Sequence, residues 1–445
     1  MSQKSKRVGI VVGGGPAPGI NAVIGAATIR AVLSGYEVVG ILDGFTNLMK
    51  GDTTHVKMLS IEDVSRIHFR GGSYLGIARA NPTKSAETLE ETVLALLRLG
   101  IAQLITIGGD DTAFSASHSE RQSKGRLRVV HVPKTIDNDL DLPGNADTFG
   151  FQTARHIGCQ LVENLMVDAR TTSRWYFIVG MGRKAGHLAL GIGKAAGVTL
   201  TMIPEELPPG PVRLARVVDT LVGAIVKRLA SGRSDGVAML AEGLVERMAE
   251  DDLAQLQGVE RDAHGHIRIA EIAFGEVLKD RVQKRLAEFG VKMTIGVKNV
   301  GYELRCADPI PFDMEYARDL GYCAAKYLIE GGNAAMVSMS QSVFRAVHFE
   351  EIMDRSTGRI RVRYVDINSD RYMIARRYML RLRRDDFQDP GAIARFGNVL
   401  GLNIEEFTQH FAYLVEDEPV PRAFFTEAAP SSYVEAPPGS DRRTV

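Results

Sequence analysis

Cysteine, net charge and long apolar runs are what this chain lacks. Its three cysteines, Cys159, Cys306 and Cys323, show no CxxC spacing in 445 residues. Cys159 and Cys323 are expected as small buried apolar side chains in helices, and reduced thiols in a cytoplasmic protein are expected for the set. Lys plus Arg equals Asp plus Glu at 54 each, a net charge of zero. That balance argues against a general binder of nucleic acid or of membrane surfaces. The opening MSQKSKRVGIVV has no apolar signal region before its first strand. Nowhere does an apolar run approach the roughly 18 residues of a membrane span. The first glycine loop is not GxGxxG, so it gives no dinucleotide fingerprint.

What is present is an α/β rhythm. Apolar runs at Val8–Val12, Glu37–Leu42, Leu104–Ile107, Val129–Val132, Trp175–Val179, Leu200–Ile203, Gly236–Leu240, Met293–Val297 and Ala335–Met339 read as strands. Helical stretches fall between them: Asn21–Ser34, Ser85–Arg98, Phe151–Asp168, His187–Ala196, Val212–Leu229, Glu276–Phe289 and Asp313–Glu330. The alternation implies mainly parallel sheets with right-handed crossovers. The length allows two or three domains.

The chemistry gathers at 104–139. Two apolar strands in succession end in loops, Gly108-Gly109-Asp110-Asp111-Thr112 and Pro133-Lys134-Thr135-Ile136-Asp137-Asn138-Asp139. A third loop, Gly13–Gly19, follows the first strand and opens a helix, a place where backbone N–H groups bind phosphate. Open α/β sheets bind ligands at that carboxyl edge. A glycine pair lets the main chain approach a phosphate, and carboxylates can hold Mg²⁺ that bridges to phosphate oxygens. GGDD or DND alone would read as a turn; three such loops after strands read as a site. Arg70-Gly71-Gly72-Ser73 leads into Gly76-Ile77-Ala78-Arg79, a second glycine-rich stretch suited to an oxyanion.

GGDDT, PKTIDND, GGGPAPGIN and MGRKAG together resemble the 6-phosphofructokinases, and more narrowly their pyrophosphate-dependent branch, from about Arg7 to about Arg381. The resemblance implies α/β architecture with two doubly wound, mainly parallel-sheet (Rossmann-like) domains and an active site in the cleft between them. It implies transfer of phosphate from pyrophosphate to the 1-hydroxyl of fructose 6-phosphate, reversible and glycolytic or gluconeogenic, with Mg²⁺. The alternatives are an ATP-dependent enzyme and a non-catalytic regulatory subunit. An active site shared at a subunit boundary implies a homodimer or homotetramer.

The resemblance also assigns residues. Asp137 is the expected base, Asp110 the metal ligand and Asp139 its electrostatic support. Arg79 reaches the phosphoryl group in flight, and Thr135 donates to the sugar phosphate or the transferred group. Gly14, Gly15, Gly109, Asp111, Thr112 and Lys134 line the donor site. ATP-using bacterial relatives usually carry Gly at positions 111 and 134 and Asp at Pro16. A side chain at 111 fills the space beside an α-phosphate and repels its charge, and Lys134 supplies a compact cation that can pair with Asp111 and with a small anion. For the sugar, Met181, Gly182 and Arg183 match the family's sugar loop. Glu242 takes sugar hydroxyls, and Tyr302 and Arg305 bind the phosphate. Arg174 corresponds to an arginine that many members lend across a subunit interface. An arginine often found where Gly296 stands is missing, and Lys298, two residues on, is the candidate replacement.

The expected domains are 1–150 for the donor, completed by a later segment near 265–305, and 151–340 for the sugar. A 341–426 extension packs on the core, and 427–445 reads as a disordered tail. Within the extension Arg359–Val365 alternates like a strand. The basic stretch Arg371–Arg384 reads as a solvated helix beside the core.

Overall fold

The computed structural model describes residues 6–254, 273–354 and 359–419; the expected tail at 427–445 lies outside them. From the N-terminus the elements are β1 (Arg7–Val12), α1 (Ile20–Leu33), β2 (Glu37–Ile41), β3 (Val56–Leu59), α2 (Ile61–Val64), α3 (Ala86–Arg98), β4 (Gln103–Gly108), α4 (Asp110–Gln122) and β5 (Arg128–Pro133). They continue with α5 (Phe151–Thr172), β6 (Trp175–Gly180), α6 (His187–Ala196), β7 (Leu200–Met202), α7 (Leu214–Ala230), β8 (Gly236–Ala241), α8 (Glu250–Leu253), α9 (Phe274–Glu288) and β9 (Ile295–Val300). Then come α10 (Tyr302–Arg305), α11 (Pro311–Ile329), β10 (Ala335–Ser340), β11 (Val343–His348), α12 (Phe349–Ile352), α13 (Asp370–Tyr378), α14 (Arg384–Gln388), α15 (Pro390–Leu400) and α16 (Ile404–Phe411).

The strands form two sheets, ordered β11-β10-β5-β4-β1-β2-β3 and β7-β8-β6-β9. The second is parallel throughout, and the first is parallel except at β2–β3 and β10–β11. Alternation within the strands explains the double winding. Val8, Ile10 and Val12 face one apolar cluster with residues of α1 and α11. Val11, Leu104 and Val129 face the other with residues of α3 and α4. A separate core joins the second sheet to its helices and to the extension, through Tyr372, Phe396, Phe407 and Phe411.

Two expectations shift. The segment that returns to the first sheet is 311–348, not one near 265–305. β10 pairs in parallel with β5, Ala335 opposite Val130, whereas β9 pairs with β6 in the second sheet. Periodicity shows that a strand exists but not which sheet edge it joins. Buried Asp313, at the start of the returning α11, fixes the crossing. Its carboxylate accepts the N–H groups of Gly150 (2.8 Å) and Thr153 (2.6 Å) and the Thr153 hydroxyl (2.6 Å). Arg359–Val365 is not a strand either. It makes only isolated bridges, Ile360 to Met353 and Val362 to Leu140, because its polar groups are spent on loops of the first sheet. Cys159 and Cys323 do lie in helices but are half-buried, and Cys306 is exposed. No described helix is long and apolar enough to cross a membrane.

Candidate active site

Register brings three loops of the first sheet together. Val12 pairs with Ile107, and Gly108 with Pro133, so β1, β4 and β5 end side by side. Gly14 adopts φ +83°, a conformation that glycine takes without strain. A Cβ there would lie 3.4 Å from Lys134 Nζ, 3.8 Å from Thr112 Oγ1 and 4.0 Å from the Gly109 nitrogen. At Gly15 it would lie 3.1 Å from Arg305 Nη1 and 3.8 Å from Arg79 Nη2. The missing side chains therefore leave a small cradle walled by cations and N–H groups. Lys134 is buried and donates to the Gly15 carbonyl. Burial pulls its ammonium down to about 7; Asp137 opposes this, while Arg305, Arg79 and Arg183 add to it. His131 braces the same edge. Burial lowers its pKa to about 3, so the ring is neutral, and Nε2 donates to the Gly108 carbonyl at 3.0 Å.

The carboxylates stand beside this cradle. Asp110 and Asp111 begin α4, where a helix N-terminus favours negative charge. Asp110 accepts the Ile360 N–H at 2.9 Å, and Asp111 is 2.8 Å from the Arg359 guanidinium. Lys134 thus meets Gly15 and Asp111 meets Arg359, in place of the anticipated pairing of Lys134 with Asp111. Asp137 is only 6% exposed. Its Oδ1 has no hydrogen-bond partner. Burial first, then Asp139 and Glu242, push it well above the usual carboxylate range. Thr135 Oγ1 accepts the Asp137 N–H at 3.0 Å. An unpartnered, proton-seeking oxygen in a closed site is what a general base needs before substrate arrives.

The second sheet repeats the construction. Gly180 pairs with Ala241 on one side and Val300 on the other, so the loops after β6, β8 and β9 also meet. Buried Glu242 accepts N–H groups from Gly182 (3.0 Å) and Arg183 (2.7 Å) through Oε1, and Met181 packs against Gly301. Burial works against the Arg183 charge, but Asp139, Asp137, Asp111 and Asp110 outweigh it and raise its pKa. One arginine of the second sheet thus sits in the field of four aspartates of the first. Arg305 lies 4.6 Å over the Tyr302 ring, and its buried Nε has no partner.

The chain carries what these loops require and matches the phosphofructokinase family model over residues 7–328. The chain belongs to the phosphofructokinase family. It is 52% identical over 417 residues to a pyrophosphate–fructose 6-phosphate 1-phosphotransferase of Thermotoga maritima, covering 93% of this chain and 99% of that protein. A protein of the same name from Naegleria fowleri is 46% identical, covering 92% and 96%. The fold resembles a solved pyrophosphate-dependent phosphofructokinase of Nitrosospira multiformis, with a TM-score of 0.62 and 17% identity, covering 99% of this chain and 100% of that one.

Two anticipated residues stand apart. Arg174 precedes β6 and so lies at the opposite end of that strand from Arg183; its buried Nε has no partner. Gly296 is at that same end, where a Cβ would come within 2.5 Å of the Tyr176 ring, so Tyr176 fills the place of a longer side chain. Lys298 pairs with Glu303 at 3.0 Å. Sequence reasoning assigned no role to Arg359 and Arg363. Arg363 donates to the carbonyls of Asn138 (3.0 Å) and Ala146 (2.9 Å) and to the Asn138 side chain, which fixes Asn138 at φ +56° next to Asp137. The basic stretch is solvated only in part, with Arg371, Arg377 and Tyr378 exposed but Arg376 and Arg381 buried. Arg381 is buried and reaches both oxygens of Glu206 at 2.8 and 3.0 Å, and Arg376 lies 3.6 Å from it. Neighbouring Glu205 accepts N–H groups of Gly186 and Val365, so the extension is tied to the loop that follows β6.

No cluster of three or more His, Cys, Asp or Glu side chains able to hold a metal occurs among the described residues. Mg²⁺ does not need one, since it commonly takes one or two carboxylates and completes its shell with substrate phosphates and water. Asp110, with Asp111 beside it, fits that demand.

Proposed function

We propose that this protein is a pyrophosphate-dependent phosphofructokinase, transferring a phosphoryl group from pyrophosphate to the 1-hydroxyl of fructose 6-phosphate. The products are fructose 1,6-bisphosphate and phosphate. The observation that carries this is the cradle at Gly14 and Gly15, closed by the buried Lys134 ammonium. In this reading Asp137 accepts the hydroxyl proton through its open oxygen. The sugar oxygen bonds to phosphorus as the bridging P–O bond breaks, and the departing phosphate keeps that electron pair. Arg79 and Lys134 steady the charge on the transferred group, and Gly14, Gly15, Gly109 and Thr112 position it. Such positioning and charge stabilisation carry most of phosphoryl-transfer catalysis. Thr135, Met181, Gly182, Arg183, Glu242, Tyr302 and Arg305 hold the sugar phosphate. Mg²⁺ bound at Asp110 would neutralise donor charge.

The first sheet with α11 forms the donor domain, and the second sheet with the extension forms the sugar domain. Arg174 serves a neighbouring copy, so the assembly is a homodimer or homotetramer in the cytoplasm. Initial rates with fructose 6-phosphate and Mg²⁺, given pyrophosphate or ATP, test the reading. Turnover with pyrophosphate and little with ATP is expected. Turnover with ATP alone would overturn the donor, and none with either would leave a sugar-binding, non-catalytic chain.

A further inference from the structure

The loop that carries Asp137 is held from a distant part of the sequence. It turns at Asn138, which sits at φ +56°. That conformation is uncommon for any residue but glycine, and Asn reaches it where its polar side chain finds partners. Here most of the partners come from Arg363. Its Nε (3.2 Å) and Nη2 (3.0 Å) both donate to the Asn138 carbonyl, and Nη2 also donates to the Asn138 side-chain oxygen. Nη1 donates to the Ala146 carbonyl at 2.9 Å. The Arg363 main-chain N–H donates to the Asp139 carbonyl at 2.8 Å. One residue thus takes up the carbonyls of both residues that follow Asp137. The Asn138 amide donates in turn to Asp147 at 2.7 Å, and the Thr148 hydroxyl donates to the Thr135 carbonyl at 2.7 Å.

Arg363 is itself seated from the second sheet. Its carbonyl lies 3.0 Å from Nε2 of His187, the first residue of α6. Burial lowers the His187 pKa to about 4, so the ring is neutral and Nε2 is the donor. Two residues further on, the Val365 N–H binds Glu205 at 3.0 Å. The segment therefore spans from the loop after β5 to the loop after β6.

We infer that Arg363 is a positioning residue for the general base: by fixing the turn at Asn138 it aims the Asp137 carboxylate at the sugar hydroxyl. All three of its guanidinium nitrogens are engaged with protein oxygens, so it acts through the loop. Rotation at Asn138 would swing Asp137 relative to Asp139 and the sheet edge. A misplacement of about 1 Å can cost about 10²-fold in rate. The inference rests on Asp137 as the base and deepens that reading.

The test is a mutant cycle on turnover of fructose 6-phosphate, with pyrophosphate or ATP, whichever the parent uses. R363M keeps the stem and loses the donors. Its kcat should fall at least about fivefold, with KM for both substrates within about threefold of the parent. In a D137N background the same change should alter kcat by less than about twofold, because an amide cannot take the proton wherever it is aimed. Arg361 lies on the same segment but is exposed and pairs with Asp141 at 3.3 Å. R361M should keep kcat within about twofold of the parent. A smaller loss in R363M, a loss borne by KM, an equal loss in the D137N background or an equal loss in R361M would each overturn the inference. Melting curves check every protein. If R363M does not fold, R363K gives the same comparison, since one ammonium cannot reproduce the fork that spans the Asn138 and Ala146 carbonyls. Near-parental turnover in D137N would sink the base reading, and an inactive parent would sink the proposed function. A silent R363M beside a crippled D137N would sink only the role of Arg363.

Discussion

The two strand edges that meet at the cleft are built alike but held in opposite ways. On the first sheet the main chain fixes the side chains. Lys134 is tied to the Gly15 carbonyl, and Gly14 takes a positive φ. On the second sheet a side chain fixes the main chain, since Glu242 gathers the N–H groups of Gly182 and Arg183. The difference predicts where a substitution removes chemistry and where it removes shape. Trimming a carboxylate on the first edge should leave the loops in place. Trimming Glu242 should loosen the loop that presents Arg183.

Asp137→Asn gives the largest effect. A neutral amide cannot take the hydroxyl proton, so kcat should fall about 10²–10⁴-fold, the usual contribution of a general base. KM for either substrate should change little. The melting temperature should hold or rise, because burial already disfavours the charge at this position. Steady-state kinetics and a thermal melt decide it; turnover within a few-fold of the parent would show that another group is the base.

Glu242→Gln tests the second edge. A neutral acceptor of the same shape weakens two charge-assisted bonds. The loss of roughly 1–1.5 kcal/mol corresponds to about tenfold in kcat/KM for fructose 6-phosphate. It should appear mainly in KM, with KM for pyrophosphate unchanged. Equal losses for both substrates would mean that the edges are not held independently.

A smaller and pH-dependent effect belongs to Lys134. Burial lowers its pKa from 10.5 to about 7, so the ammonium beside the Gly14–Gly15 cradle is lost as pH rises through about 7. Pyrophosphate affinity of the parent should therefore fall with rising pH relative to Lys134→Met, which also corrects for the titration of pyrophosphate itself. The stability of the ligand-free protein runs the other way. A lysine whose folded pKa lies below its unfolded value costs stability in full below about 7, and the cost fades between about 7 and 10.5. Lys134→Met should raise the melting temperature more at pH 6 than at pH 10. An equal rise at both would mean that Lys134 is charged throughout.

The same contrast separates what could be read in the sequence from what could not. Glycine and aspartate loops after apolar strands are local patterns, and the loops at 13–15, 108–112 and 133–139 were legible because each is decided within a few residues. Sheet membership was not, since β9 and β10 have similar apolar character and differ only in which neighbour they meet. Arg359 and Arg363 were hidden by distance and by disguise. Their partners lie more than 200 positions away, and RIRVR alternates as a half-exposed strand does. The alternation is real, with Ile360 facing the core, but on the opposite face Arg359 and Arg363 lie on carboxylates and carbonyls and Arg361 alone is exposed. Arg376 and Arg381 misled in the same way. A basic run reads as solvated unless its buried counter-charge, here Glu206, is known, and no periodicity points from 381 to 206.

Lys298 offers the smallest change and the sharpest limit on how far the second edge extends. Strand spacing made it the candidate for the arginine missing at Gly296. The structure pairs it with Glu303 at 3.0 Å and leaves its side chain 47% exposed. An exposed pair of this kind contributes little, and solvent screens its reach. Arg305 differs, with a guanidinium against the Gly15 cradle, its Nε buried and without a partner. Lys298→Ala should therefore change KM for fructose 6-phosphate by no more than about threefold, well short of the effect of Arg305→Ala measured beside it. Should the two losses match, the phosphate clamp reaches out to β9, and Lys298 must leave Glu303 when the sugar phosphate binds.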